Sequence, residues 1–271
     1  MSEGVRALRD IEYARPGGKP LLLDLYLPEK TDAPLPLIVW IHGGAWQGGS
    51  KEDCPAVGMT ARGYAAASIN YRLSHEAIFP AQIHDCKAAV RWLRANAQKY
   101  GFDPDRIGAW GSSAGGHLVA LLGTSGGVEE LEGDLGNAEQ SSSVQAVVDF
   151  CGPTDLTRIA EAPSDISRKS ADCPEAMLIG GMLHENPEKA AAASPVTYAT
   201  KDAAPFLIMH GENDTIVPLQ QGELMHAALT KAGAEVTFEV VKDAGHGFGG
   251  PDIDRMVNDF FDAHLKKTEK K

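Results

Sequence analysis

No stretch of this 271-residue chain approaches the roughly 18 consecutive apolar residues that a membrane-spanning helix requires, so a helical membrane protein is not expected. Basic residues are outnumbered, with 25 Lys and Arg against 37 Asp and Glu and a formal net charge of −12. Nucleic acid and anionic membranes both call for basic patches, so neither is an expected partner. Cysteine is scarce. Cys54, Cys86, Cys151 and Cys173 show no C-x-x-C spacing, which points away from zinc, and no cofactor or metal is expected. Cys86 lies on the stripe Ile83, Cys86, Val90, Leu93, Ala97 and reads as a small core residue. Cys151 and Cys173 both fall around the region after the sixth strand, and their pairing is left open. No signal-peptide pattern precedes Leu21, which leaves cytoplasmic and secreted locations both open. Internal repeats are absent.

What remains is an alternation of strands and helices, and a hydrophobic content of 43% is ample for a core. Strands are expected near residues 6–14, 20–27, 36–42, 65–70, 106–111, 145–151, 205–210 and 235–241, the first two pairing as a hairpin through Pro16-Gly17-Gly18. Helical patterns lie near 52–63, 80–100, 113–123, 218–232 and 251–266. The order implies an α/β fold, a mostly parallel eight-stranded sheet flanked by helices, in a single domain over residues 1–271. Two segments break the rhythm. Thr124 to Gln145, rich in Gly, Glu and Ser, reads as a mobile acidic loop in which Asp134 is more readily solvated than cation-bound. Residues 152–204 form a long insertion that includes the apolar run 177–183, and such insertions tend to be lids or binding walls. The basic tail Lys266–Lys271 is expected to be frayed and solvated.

The chemistry concentrates around Gly111-Ser112-Ser113-Ala114-Gly115, which follows an apolar run and precedes a helix-like run. This is G-x-S-x-G in its strand–turn–helix setting, where the glycines leave room for a sharply turned nucleophile. The helix N-terminus beneath Ser113 would aim free N–H groups at an oxyanion. Upstream, the buried strand Leu37–Ile41 ends in His42-Gly43-Gly44-Ala45-Trp46. A glycine pair there lets backbone amides approach a ligand, and with the amide of Ala114 they would make an oxyanion hole. His42 reads as a brace for that loop rather than a base. Downstream, the strand 205–210 leads into Gly211-Glu212-Asn213-Asp214, and Asp214 is favoured over Glu212 as the acid because it sits deeper in the loop. Past the last strand, His246 stands between Gly245 and Gly247, uncrowded, as a general base should be. Of the other histidines, His75, His84, His184, His226 and His264 lie on expected helices or surface loops and read mostly as solvated or locally satisfied, and His117 reads as packing. The order Ser113, Asp214, His246 is the Ser…Asp…His order of α/β-hydrolases.

With these motifs in place, the chain from about Leu8 to Phe261 resembles an α/β-hydrolase of the hormone-sensitive-lipase-like esterase group, in its feruloyl/acetylxylan esterase-like (BD-FAE-like) branch. The likeness rests on His42-Gly43-Gly44-Ala45-Trp46, Asn70-Tyr71-Arg72-Leu73, Phe79-Pro80-Ala81-Gln82, Gly111–His117, Gly152-Pro153-Thr154-Asp155 and Ala244–Phe248. It implies oxyanion amides from Gly44, Ala45 and Ala114, although relatives usually carry a third glycine where Ala45 stands. Those relatives also begin with a helical cap, whereas here the first strand starts near Val5.

The resemblance further implies a serine carboxylesterase acting on a small-molecule or oligosaccharide ester, with acetylated or feruloylated carbohydrate as the substrate class. Trp46, Tyr71, Asp155 and Leu183 are the candidate pocket residues, with Tyr71 alternatively anchoring its own turn. Without a cap helix or an apolar lid, a short acyl group such as acetyl is expected. A kynurenine formamidase-like amidase, a prolyl-oligopeptidase-type peptidase and a catalytically dead binding scaffold are the alternatives.

Overall fold

Strand β3 (Leu35–Ile41) shows how the sequence builds the core. Its side chains alternate across the sheet, as a strand's must, so Leu37, Val39 and Ile41 enter one apolar cluster while Ile38 and Trp40 enter another on the opposite face. A strand apolar on both faces belongs at the centre of a sheet covered by helices on both sides. The computed structural model describes residues 4–31 and 33–266, and it places β3 in the middle of an eight-stranded sheet. The strand order is β1-β2-β4-β3-β5-β6-β7-β8. Here β1 is Val5–Ala14, β2 Leu21–Pro28, β4 Ala65–Ile69, β5 Phe102–Ser112, β6 Ala146–Phe150, β7 Phe206–Gly211 and β8 Val236–Val241. β1 and β2 form the expected hairpin, β2 runs antiparallel to β4, and every other pairing is parallel. This is the α/β-hydrolase arrangement.

Helices α1 (Ala81–Ala95), α3 (Ala114–Thr124) and α7 (Gln220–Ala232) cover one face of the sheet. α8 (Pro251–Leu265) and a 3-10 segment, Pro55–Arg62, cover the other. The stripe Ile83, Cys86, Val90, Leu93 and Ala97 is fully part of the core. Its helix is interrupted, however: Asn96 turns its amide back onto the Trp92 carbonyl, and the chain resumes as a single turn, α2 (Ala97–Tyr100). α4 (Glu129–Glu132), α5 (Pro174–Ile179) and α6 (Pro187–Ala192) are too short to leave a helical period in the sequence, and the last two start at a proline.

The acidic loop differs from its expectation. Glu132 is tied to Lys87 (2.7 Å), Arg91 (3.1 Å) and Ser142 (2.9 Å), so the segment is anchored to α1 rather than loose. All four cysteines are unpaired, Cys151 and Cys173 included. No helix among the described residues is long and apolar enough to cross a membrane. The tail beyond Lys266 lies outside the described residues.

The parallel register brings the functional loops together. Ile41 of β3 lies beside Gly111 of β5, Gly111 beside Asp149 of β6, and Gly211 of β7 beside Val241 of β8. The chain therefore leaves all of these strands along one edge, the edge where open α/β sheets bind ligands.

Candidate active site

Ser113 links β5 to α3 with φ 58° and ψ −121°, a conformation that a non-glycine residue adopts only when its surroundings impose it. The surroundings are close-packed backbone. A Cβ on Gly115 would fall 2.0 Å from the Ile41 carbonyl oxygen, and one on Gly111 would fall 2.4 Å from the Gly115 oxygen. The Ser113 N–H donates to Phe150 O (2.8 Å), which locks the turn to the neighbouring strand. α3 then opens at Ala114, so its first amides, which have no partner within the helix, face the space around Ser113 Oγ.

Ser113 Oγ lies 2.9 Å from His246 Nε2, and His246 Nδ1 lies 2.8 Å from Asp214 Oδ2. Nδ1–H donates to the carboxylate, which leaves Nε2 to accept from the serine hydroxyl. Asp214 comes from the loop after β7 and its carboxylate is fully engaged. Oδ1 accepts the N–H groups of Ile216 and Val217, both at 2.9 Å. Burial would push this carboxyl upward, but hydrogen bonds from His210 and His246 outweigh it and hold Asp214 well below the usual carboxylate range. The His246 side chain is 27% exposed while that of Asp214 is closed off, so the chain of three opens to solvent only at its serine end.

The loop after β3 stands against this turn. A Cβ on Gly43 would lie 2.8 Å from Ser112 O and 3.3 Å from Ser113 Cβ, so only a glycine allows the approach. Gly44, Ala45 and Trp46 all take positive φ, at 108°, 55° and 55°. Such a run costs about 1–3 kcal/mol for each non-glycine residue and persists only where the fold enforces it. Among the described residues no backbone acceptor engages the N–H of Gly44 or Ala45. His42 donates from Nδ1 to Gly43 O (2.7 Å), and its ring stacks on Tyr71 at 4.4 Å, bracing the loop.

None of the four pocket candidates presents an exposed side chain. Trp46 is 1% exposed and donates its indole N–H to His117 Nδ1 (3.2 Å). Tyr71 donates to His42 O (3.0 Å) and so anchors its turn. The Asp155 carboxylate accepts from the Thr157 amide (3.1 Å), and Leu183 packs in the main core. Aromatic and acidic residues near a site are indistinguishable in sequence from pocket residues; here long-range partners take up the polar atoms of Trp46 and Tyr71, and a local turn takes up those of Asp155. Two residues missed in the sequence touch the acid loop. His210, the penultimate residue of β7, donates from Nε2 to Val217 O (2.8 Å) and lies 3.3 Å from Asp214 Oδ2. Its one visible signal was an ionisable residue inside an apolar strand. Arg168, in the insertion, donates to Ile216 O (2.7 Å) and had no signal at all.

Cys151, Asp214 and His246 place ligand-type atoms within 4.8 Å of one another, and Asp134 belongs to no such cluster among the described residues. The cluster is poorly suited to a metal. The Cys151 thiol donates to His246 O (3.3 Å), and burial pushes it up to about 12, away from the thiolate a metal would need. Asp214 and His246 already satisfy each other.

His117 beneath the nucleophile turn is fully buried, donating from Nε2 to Ala193 O (2.7 Å) and accepting from Trp46. Burial lowers it to about 4, so the folded protein holds it neutral while the unfolded chain takes up a proton near the ordinary value. The unfolded state binds more protons between those values, so stability falls as pH drops through that window, by roughly 1.4 kcal/mol per unit. Urea unfolding at pH 7 and pH 5 should show this loss, and His117→Gln should reduce its slope. An unchanged slope in that variant would assign the acid sensitivity to other groups.

Fold and site together define an α/β-hydrolase with a serine, histidine and aspartate aligned at the carboxyl edge of its sheet. The chain belongs to the BD-FAE family, whose model matches residues 23–229. It is 35% identical to the esterase LipQ of Mycobacterium tuberculosis over 247 residues, 88% of this chain and 56% of LipQ. The chain thus spans about half the length of the curated relatives it matches. Among solved structures it is similar to a truncated carbohydrate esterase from gut microbiota (TM-score 0.88, 36% identity, 97% of each chain). It is also similar to Est2 of Thermogutta terrifontis with propionate bound (TM-score 0.76, 27% identity, 96% of this chain and 93% of that one).

Proposed function

We propose that this protein is a serine carboxylesterase that hydrolyses short acyl esters of carbohydrates. The observation that carries the reading is the hydrogen-bonded line Ser113 Oγ, His246 Nε2, His246 Nδ1, Asp214 Oδ2, set on a strained turn at a helix N-terminus. Ser113 attacks the ester carbonyl while His246 takes its proton, and Asp214 stabilises the imidazolium that forms. The tetrahedral oxyanion sits on the amides of Gly44, Ala45 and Ala114, each worth about 10²–10³ in rate. Collapse expels the alcohol, protonated by His246, and leaves an acyl-enzyme that water, activated by the same histidine, then hydrolyses.

The insertion over 152–204 supplies one wall of the site: its α5 reaches the oxyanion loop, where Gln47 Nε2 meets Met177 Sδ at 3.3 Å. A catalytic histidine that is about a quarter exposed leaves room for a bulky alcohol such as a sugar, and likeness to a carbohydrate esterase supports the same class. Likeness to an esterase that holds propionate supports a short acyl group.

Initial rates on p-nitrophenyl acetate, butyrate and octanoate test the reading. Turnover should be highest on acetate and fall steeply toward octanoate, with acetylated xylan as the next substrate. A flat chain-length profile would remove the short-acyl part. A folded protein inert on all three esters but active on a formanilide would replace the esterase reading with a formamidase.

A further inference from the structure

The peptide units after Asp214 are gripped on both faces. Their N–H groups, from Ile216 and Val217, donate to Asp214 Oδ1. Their carbonyls point the other way, into the insertion. Ser164 Oγ lies 2.9 Å from Thr215 O and 3.1 Å from Ile216 O, and the Asp165 N–H donates to Thr215 O at 2.7 Å. At the centre is Arg168, whose side chain is 2% exposed. Its Nη2 donates to Ile216 O (2.7 Å) and pairs with Glu175 Oε1 (3.1 Å), while Nη1 donates to Ser164 Oγ and to Ile166 O (3.3 Å). One amide therefore separates a buried cation from the carboxylate: guanidinium to Ile216 O, then Val217 N–H to Asp214 Oδ1. An amide whose oxygen is bonded to a cation is polarised into a better donor at its nitrogen, and low-dielectric surroundings strengthen the effect.

We infer that Arg168 is a positioning residue for Asp214, an inference that rests on the triad reading above. Through the Ile216–Val217 amide it keeps the carboxylate ionised and aimed at His246 Nδ1, and it ties the insertion that walls the site to the acid that orients the base. The planar fork of arginine suits the task, because it reaches acceptors on Ser164, Ile166, Glu175 and Ile216 at once; the single ammonium of lysine cannot.

Two readouts on the full chain test this: steady-state kinetics, and the low-field Nδ1–H proton resonance of His246, which reports its bond to Asp214. Arg168→Met combined with Glu175→Gln removes both buried charges together and so avoids stranding a lone carboxylate. Its kcat should fall by about 10- to 100-fold with KM nearly unchanged, since a misplacement of about 1 Å costs that much. The His246 resonance should shift or broaden, and Arg168→Lys should fall between this variant and the wild type on both measures. If the paired variant does not fold, Arg168→Lys, which keeps the charge, carries the same two tests. A folded variant with kcat within about twofold of wild type and an unmoved resonance overturns the inference, whatever its melting temperature does. The resonance is read without turnover, so a wild type inert on esters would defeat the esterase reading and leave this coupling separately tested.

Discussion

Ser113→Ala is expected to lower kcat on p-nitrophenyl acetate by about 10⁴–10⁶-fold, the scale lost when a triad nucleophile is removed. The loss is that of the nucleophile and not of the fold. Among the described residues the hydrogen-bond partner of Ser113 Oγ is His246, while the turn is imposed by Gly111, Gly115 and the Phe150 carbonyl. Alanine fits the same backbone, so stability should change by no more than about 1 kcal/mol. Residual hydrolysis above the water rate should persist, because the amides proposed to hold the oxyanion and His246 remain in place. Activity and thermal unfolding must be read together. A variant that keeps its melting temperature and loses turnover fits the assignment, whereas one retaining a tenth of wild-type turnover would show that another group attacks the ester.

What could be read from the sequence follows from how local each constraint is. The Ser113 turn is legible because its demands fall within five residues: a Cβ at Gly111 or Gly115 would collide with backbone. Asp214 and His246 are legible through order along the chain, since a parallel sheet returns each strand end to the same edge. β3 is legible because both of its faces are apolar. The bracing role of Trp46 is not legible, for the opposite reason, and that of Tyr71 is only one of two readings. Their use as braces depends on His117 and on the His42 carbonyl, 71 and 29 residues away. Arg168 is one cation among 25 until the fold brings it to Ile216, 48 residues on. The acidic loop likewise reads as unattached because Lys87 and Arg91, which anchor Glu132, lie on another helix.

Asp214→Asn carries the second large effect, a fall in kcat of about 10⁴-fold, as expected when the base is left with the wrong tautomer. The present hydrogen bonds make the outcome hard to evade. Oδ1 faces two amide donors, Ile216 and Val217, while Oδ2 faces the Nδ1 of His246 at 2.8 Å and the Nε2 of His210 at 3.3 Å. Among the described residues the Ile216, Val217 and His246 N–H groups donate to this carboxylate, with the His210 Nε2–H shared between it and Val217 O, and an ionised acid is the side chain that can accept from all of them. If the asparagine keeps its oxygen on the backbone amides, its NH₂ meets His246 Nδ1, which must then accept. The imidazole proton moves to Nε2, where it opposes the serine hydroxyl and blocks proton abstraction. If the amide flips instead, its NH₂ opposes two backbone N–H groups and strands them at a cost of about 1–3 kcal/mol each. The first arrangement loses rate and the second loses stability, so kcat and urea unfolding together tell which occurs. Glu212→Gln and Asp155→Asn are the controls, because Glu212 is used by the Asp243 amide and Asp155 by Thr157. Both should stay within about threefold of wild type, as side chains that do not touch the base. A collapse in either one, with Asp214→Asn still active, would move the acid to that residue and with it the orientation of His246.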